Sequence, residues 1–162
     1  MSMHLVLRMR RSLAEPVPKP IWPEGVRTVL FKPERHVPEI HALLVAAYAK
    51  GGGYVEPLSI WWPSLKGDSE YDPALCFIAV DEQDRVVGVA QCWTSAFIKD
   101  LAVQPDRRGQ GLGSALIIEA LQAFKQRGAA YVDLKVDADN PSGALRLYRS
   151  HGFEEIESYR LD

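Results

Sequence analysis

The 162 residues suit a single domain whose core needs neither disulfides nor a metal. A formal net charge of -2 argues against bulk nucleic-acid binding, which usually leaves a basic domain. Apolar runs fall short of a membrane span, the longest lying near residues 42–49, so no membrane partner is expected.

The first ten residues do not follow a signal peptide's order, because Arg8, Arg10 and Arg11 come after the apolar stretch. Cys76 and Cys92 fall in strand-like runs, as buried small apolar residues do, and read as reduced and structural. A cytoplasmic protein is the expectation. The four histidines show no metal-ligand spacing. Asp137-x-Asp139 starts like a calcium loop but lacks its glycine and distal Glu, so no metal is expected.

Residues 5–10 read as a short strand, and residues 15–23 must run extended because their prolines hold φ and remove donors. Residues 1–25 thus form an N-terminal extension. We read it as a tail across the domain surface; the alternative is an arm adding a strand to its own or a partner's sheet. Residues 26–162 form the domain proper.

A first core strand is expected over residues 26–31. An amphipathic helix follows over residues 38–50, with Ile40, Leu43, Leu44, Ala47 and Tyr48 on one face. Gly51-Gly52-Gly53 ends it. A shorter helix over residues 57–65 carries Trp61 and Trp62. Two strands, residues 75–80 and 85–93, join at Asp81-Glu82-Gln83-Asp84, and a third runs over residues 97–103. A longer helix spans residues 111–127, with Leu112, Leu116, Ala120, Ala123 and Phe124 inward and Gly128 closing it. Residues 131–136 make a strand and residues 141–151 a short helix, with Asn140 as N-cap and Gly152 at the left-handed C′ position. A strand over residues 153–161 ends the chain.

The segment from Val103 to Ser114 joins a strand to a helix through a basic, glycine-rich turn. Such a turn grips phosphate: successive N–H groups point into it, and the helix dipole places about half a positive charge behind them. The spacing is neither a dinucleotide fingerprint, since Ser114 stands where its last Gly would fall, nor a Walker loop, which needs a Lys.

Arg108-x-x-Gly111-x-Gly113, preceded by Val103-x-Pro105, resembles the acyl-CoA pyrophosphate loop of the GNAT superfamily of N-acyltransferases. Asn140 through Ala144 and Tyr148 to Gly152-Phe153 resembles that superfamily's second motif, and the likeness covers roughly residues 26–161. It implies an α/β (α+β) fold: a mixed, mostly antiparallel sheet of about six to seven strands flanked by about four helices on both faces.

The resemblance also implies a reaction. An acetyl group would pass from acetyl-CoA, as cosubstrate, to a primary amine of a small molecule or peptide by direct attack in a ternary complex. Arg108, Gly109, Gln110, Gly111, Leu112, Gly113 and Ser114 would hold the pyrophosphate. The edge formed by Leu101, Ala102 and Val103 would pair with the pantetheine arm, with a backbone N–H near Leu101 facing the oxyanion. Tyr148 would hydrogen-bond the leaving sulfur, or else be a core tyrosine. Asn140 would bond the pantetheine, or merely cap its helix.

The family dictates no general base. Asp100 is our choice, against a simple surface role, because it lies on the motif strand; many relatives place a Glu where this chain has Phe97 and Lys99. Tyr54, Trp61 and Trp62 are expected at the acceptor, with core packing as the alternative for the tryptophans. Relatives often dimerise, which leaves a homodimer open. A non-catalytic acyl-CoA sensor on the same scaffold is the alternative to an enzyme.

Overall fold

The computed structural model describes residues 4–51 and 53–161. Its elements are β1 (His4–Ser12), β2 (Arg27–Val29), α1 (Pro33–Ala47), α2 (Leu58–Lys66), β3 (Cys76–Val80), β4 (Val86–Trp93), β5 (Phe97–Val103), α3 (Leu112–Gln126), β6 (Tyr131–Asp137), α4 (Ala144–Ser150) and β7 (Glu154–Leu161). The seven strands form one sheet in the order β2-β3-β4-β5-β6-β1-β7. Among the described residues only β5 and β6 run parallel. The mixed, mostly antiparallel sheet with four α-helices is the expected architecture.

The N-terminal residues depart from the favoured reading. β1 lies inside the sheet, antiparallel to both β6 and β7, so it is the arm that adds a strand to its own sheet. Alternation explains why a run containing three arginines can be internal. Leu7, Met9 and Arg11 face the core, while Arg8 and Arg10 occupy the other face. There they grip Asp133, which is 2% exposed: Arg8 Nε donates to Oδ2 at 2.9 Å and Arg10 Nε to Oδ1 at 2.8 Å.

The tail reading survives only for residues 13–25. These run over α3, where Gln122 donates to the Pro18 carbonyl at 2.7 Å and Trp22 packs near Leu112 and Leu116. Arg11 anchors the crossing. Arg11 is 7% exposed, and its guanidinium donates to the carbonyls of Ser12, Glu15, Pro16 and His151.

The first core strand is shorter than expected, only Arg27–Val29, because the first helix begins at Pro33. Pro33 suits the first turn, and the Lys32 N–H donates to His36 Nδ1 at 2.9 Å. Phe31 stacks on His36 at 6.4 Å, a staple between the residue before the cap and the fourth helical residue. Pro38, expected to open the helix, sits inside it.

α1 and α2 cover β3, β4 and β5 on one face through Ile40, Leu43, Leu44, Trp61 and Leu65. α3 and α4 cover the other face, where Leu116, Ile117, Leu121, Phe124 and Tyr148 are buried. Gly88 on β4 lets α3 approach closely: a Cβ there would lie 2.8 Å from Leu116 Cδ1. Cys76 and Cys92 are buried and unpaired, and burial pushes both thiols up in pKa. No helix among the described residues is long and apolar enough to cross a membrane.

Candidate active site

β5 and β6 pair only at Phe97↔Asp133 and Ile98↔Leu134. Beyond Ile98 the strands part, and residues 99–103 present an edge unpaired on the β6 side. A cavity of about 580 Å³ fills the gap. Leu101, Ala102 and Val103 line one wall, Leu134 and Val136 the other, with Leu147 and Tyr148 of α4 also in the lining.

The glycine-rich turn forms one end of this cavity. Gly109 and Gly111 take φ of 80° and 88°, a region glycine adopts without steric cost. Gly111 is the N-cap of α3, so the N–H groups that open the helix have no intrahelical acceptor. Arg108, Gly109, Gly111, Leu112, Gly113 and Ser114 all line the cavity. Gln110 is exposed and does not. Arg108 Nη2 donates to the Ala47 carbonyl at 3.1 Å, which ties the turn to the end of α1.

Tyr148 is 8% exposed and stands edge-on to Phe153 at 6.0 Å. Burial, and then the nearby Asp100 charge, push its hydroxyl up to about 12. Asn140 lines the cavity but does not cap α4, whose N-cap is Gly143. Instead its Oδ1 accepts from Ser142 N–H at 2.8 Å and Ser142 Oγ at 2.6 Å, closing a local turn. The helix therefore starts later than expected, at Ala144.

Asp100 reaches the cavity through a break in β5. The β4–β5 register shifts between Gln91↔Asp100 and Cys92↔Ile98, so Lys99 is the extra residue of a bulge. Ile98 then packs with the α3 side and Ala102 with the α1 side, although simple alternation would place them together. Asp100 accepts hydrogen bonds from the Tyr48 hydroxyl at 3.0 Å and Lys99 Nζ at 2.9 Å.

Tyr48 is the residue that sequence reasoning left among the core positions of α1. It lines the cavity, donates to Asp100, and stands within reach of the Leu101 backbone N–H. Burial and then Asp100 raise its pKa far above the usual phenol value. The sequence signal was its place at the C-terminal end of the amphipathic stripe, where a tyrosine hydroxyl can leave the core.

The aromatic residues expected at the acceptor stand outside the lining of this cavity. Trp61 is 8% exposed and packed with Val37, Ile40 and Leu65. Trp62 is half-buried against Phe31 and Tyr71. Tyr54 is 79% exposed, and none of the three lines the cavity. Among the described residues no group of three or more His, Cys, Asp or Glu is placed to hold a metal ion.

The splayed sheet thus places an unpaired strand edge and a glycine-rich helix N-terminus on one cavity. The profile of the Acetyltransferase (GNAT) family matches residues 37–153, and the chain belongs to that family. It is 35% identical over 162 aligned residues to a mycothiol acetyltransferase of Thermobispora bispora, across 90% of this chain and 52% of that protein. A crystal structure of a GCN5-related N-acetyltransferase from Sphaerobacter thermophilus superposes with a TM-score of 0.85 at 27% identity, covering 99% of this chain and 52% of that one. A tandem GNAT protein from the clavulanic acid biosynthesis pathway shares the fold, with a TM-score of 0.71 at 14% identity, over 99% of this chain and 53% of its own. The chain thus spans about half the length of these relatives.

Proposed function

We propose that this chain binds acetyl-CoA in the cleft between β5 and β6 and transfers its acetyl group to a primary amine. The observation that carries this is convergence. The free edge of β5, all of the turn at residues 108–114 except Gln110, and Tyr148 border one cavity. A diphosphate fits the turn because its backbone donors and glycine conformations leave room for an anion. A peptide-like arm fits the unpaired edge at Leu101 to Val103, where backbone donors and acceptors await partners. Acetyl-CoA supplies the activated thioester; the protein supplies binding, orientation and hydrogen bonds.

The chain's own groups divide the work as follows. The Leu101 N–H faces the thioester oxygen and Tyr148 donates to the sulfur. Burial pushes its hydroxyl up to about 12, so Tyr148 is fully protonated near pH 7 and is a weak acid. Tyr148 therefore stabilises the leaving sulfur by hydrogen bonding and keeps its proton. Asp100, oriented by Tyr48, takes the proton from the acceptor's ammonium. The relatives named as mycothiol acetyltransferases support acetyl transfer.

The test is free-thiol release from acetyl-CoA with a panel of primary amines, comparing wild type with Tyr148→Phe. Turnover with at least one amine, reduced in the variant, is expected. Acetyl-CoA binding without turnover on any amine would replace the enzyme by a sensor on the same scaffold.

A further inference from the structure

The serine of the glycine-rich turn has a partner on another element. Ser114 Oγ lies 2.9 Å from His151 Nε2. His151 is the residue that ends α4, three positions after Tyr148, and it is half-buried between the two helices. The turn and α4 also meet at Gly113, where a Cβ would lie 3.2 Å from Leu147 Cδ2. Ser114 and Gly113 line the cavity, whereas His151 stands behind them.

The direction of this hydrogen bond decides what Ser114 offers an anion. A hydroxyl has one hydrogen. If Nε2 accepts it, Ser114 shows the cavity only lone pairs, which repel phosphate oxygens. If Nε2 carries its own hydrogen and donates, the hydroxyl hydrogen is free to turn into the cavity. Burial, and then Arg11, hold His151 below its usual pKa, so the imidazole is neutral near pH 7 and its one hydrogen can reside on Nε2.

We propose that His151 is a positioning residue for the coenzyme: its Nε2–H donates to Ser114 Oγ, so that the Ser114 hydroxyl donates to a phosphate oxygen. The inference rests on the acetyl-CoA reading above and adds a side-chain contact to a loop otherwise described by its backbone. It also joins the helix bearing Tyr148 to the diphosphate, since one hydrogen-bond chain runs from α4 to the ligand.

The experiment is calorimetric titration with acetyl-CoA of wild type, Ser114→Ala, His151→Leu, their double variant and His151→Gln. Melting curves confirm that each is folded, and ¹⁵N NMR of the His151 ring reports the tautomer in the complex. Each single loss should weaken binding about tenfold, the low end for a hydrogen bond to a charged group. The double variant should be no weaker than the worse single one, and His151→Gln, which keeps an N–H donor, should recover most of the affinity. The ring should carry its hydrogen on Nε2. Additive losses, unchanged affinity in His151→Leu, or a hydrogen on Nδ1 would overturn the inference while leaving acetyl-CoA binding intact. Failure of wild type to bind acetyl-CoA would instead overturn the coenzyme reading, and this inference with it.

Discussion

The Tyr48 hydroxyl donates to Asp100 Oδ1 at 3.0 Å, so a residue at the end of α1 orients a carboxylate on β5 that is 52 positions away in the chain. That contact is made at the cavity wall. If Asp100 accepts the acceptor's proton, its removal should matter most where the amine is charged. Asp100→Asn should lower kcat/KM about 100-fold at pH 7, within the usual range for a lost general base. The deficit should shrink toward pH 10, where an alkyl amine of pKa about 10.4 is substantially neutral by itself. Tyr48→Phe should cost about tenfold at pH 7. A pH-independent deficit in Asp100→Asn would remove it from proton transfer.

The turn makes a sharper demand on Gly111. A Cβ there meets nothing within 4 Å, so the cost of Gly111→Ala is conformational, about 1–2 kcal/mol for a left-handed residue. Gly111→Asp adds a carboxylate where a phosphate should sit. It should abolish acetyl-CoA binding in a protein that still melts cooperatively, as followed by titration and circular dichroism. Affinity equal to that of Gly111→Ala would show that no anion approaches the turn.

Arg11 ties the N-terminal crossing to the end of α4, through carbonyls of Ser12, Glu15, Pro16 and His151. Replacing it with Ala leaves several carbonyls short of a donor inside the fold, at about 1–3 kcal/mol for each one that stays dry. Urea unfolding of Arg11→Ala should therefore show a loss of about 3 kcal/mol. A change below about 0.5 kcal/mol, the usual size for surface substitutions, would make the strap dispensable.

Acid stability should report on Asp133. Burial alone would raise its pKa, but hydrogen bonds from Arg10 and Arg8 outweigh burial and hold it below the usual carboxylate range. A depressed folded value contributes stability above the unfolded pKa of about 3.9, and that contribution is lost as pH falls through the folded value. Asp133→Asn should be less stable than wild type at pH 7, and the gap should narrow only below about pH 4. A gap independent of pH down to acid unfolding would contradict the pairing.

Much of the site was legible because its parts are local. The turn from Arg108 to Ser114 and the run from Asn140 to Phe153 each occupy consecutive residues, where glycine positions and helix phasing follow from spacing alone. Tyr48 was not legible as a site residue, because the same heptad-like stripe that buries Leu44 also carries it. For Trp61 the sequence left a pocket and a core role both open, and the fold buries the ring among α1 and α2, where a large apolar side chain is stabilised most. The bulge at Lys99 left no trace in the sequence, since it depends on how β4 and β5 pair.

By itself the sequence determined the order of most elements, the glycine-rich turn before α3 and the helix that carries Tyr148, because short-range backbone geometry decides each of these. Tertiary structure alone decided that β1 enters the sheet between β6 and β7, pairing Arg10 with Asp133 across 123 positions. It also decided that β5 and β6 part beyond Ile98 to open the cavity. Such choices turn on which distant edges find donors, acceptors and buried surface together, and no window of neighbouring residues contains that information.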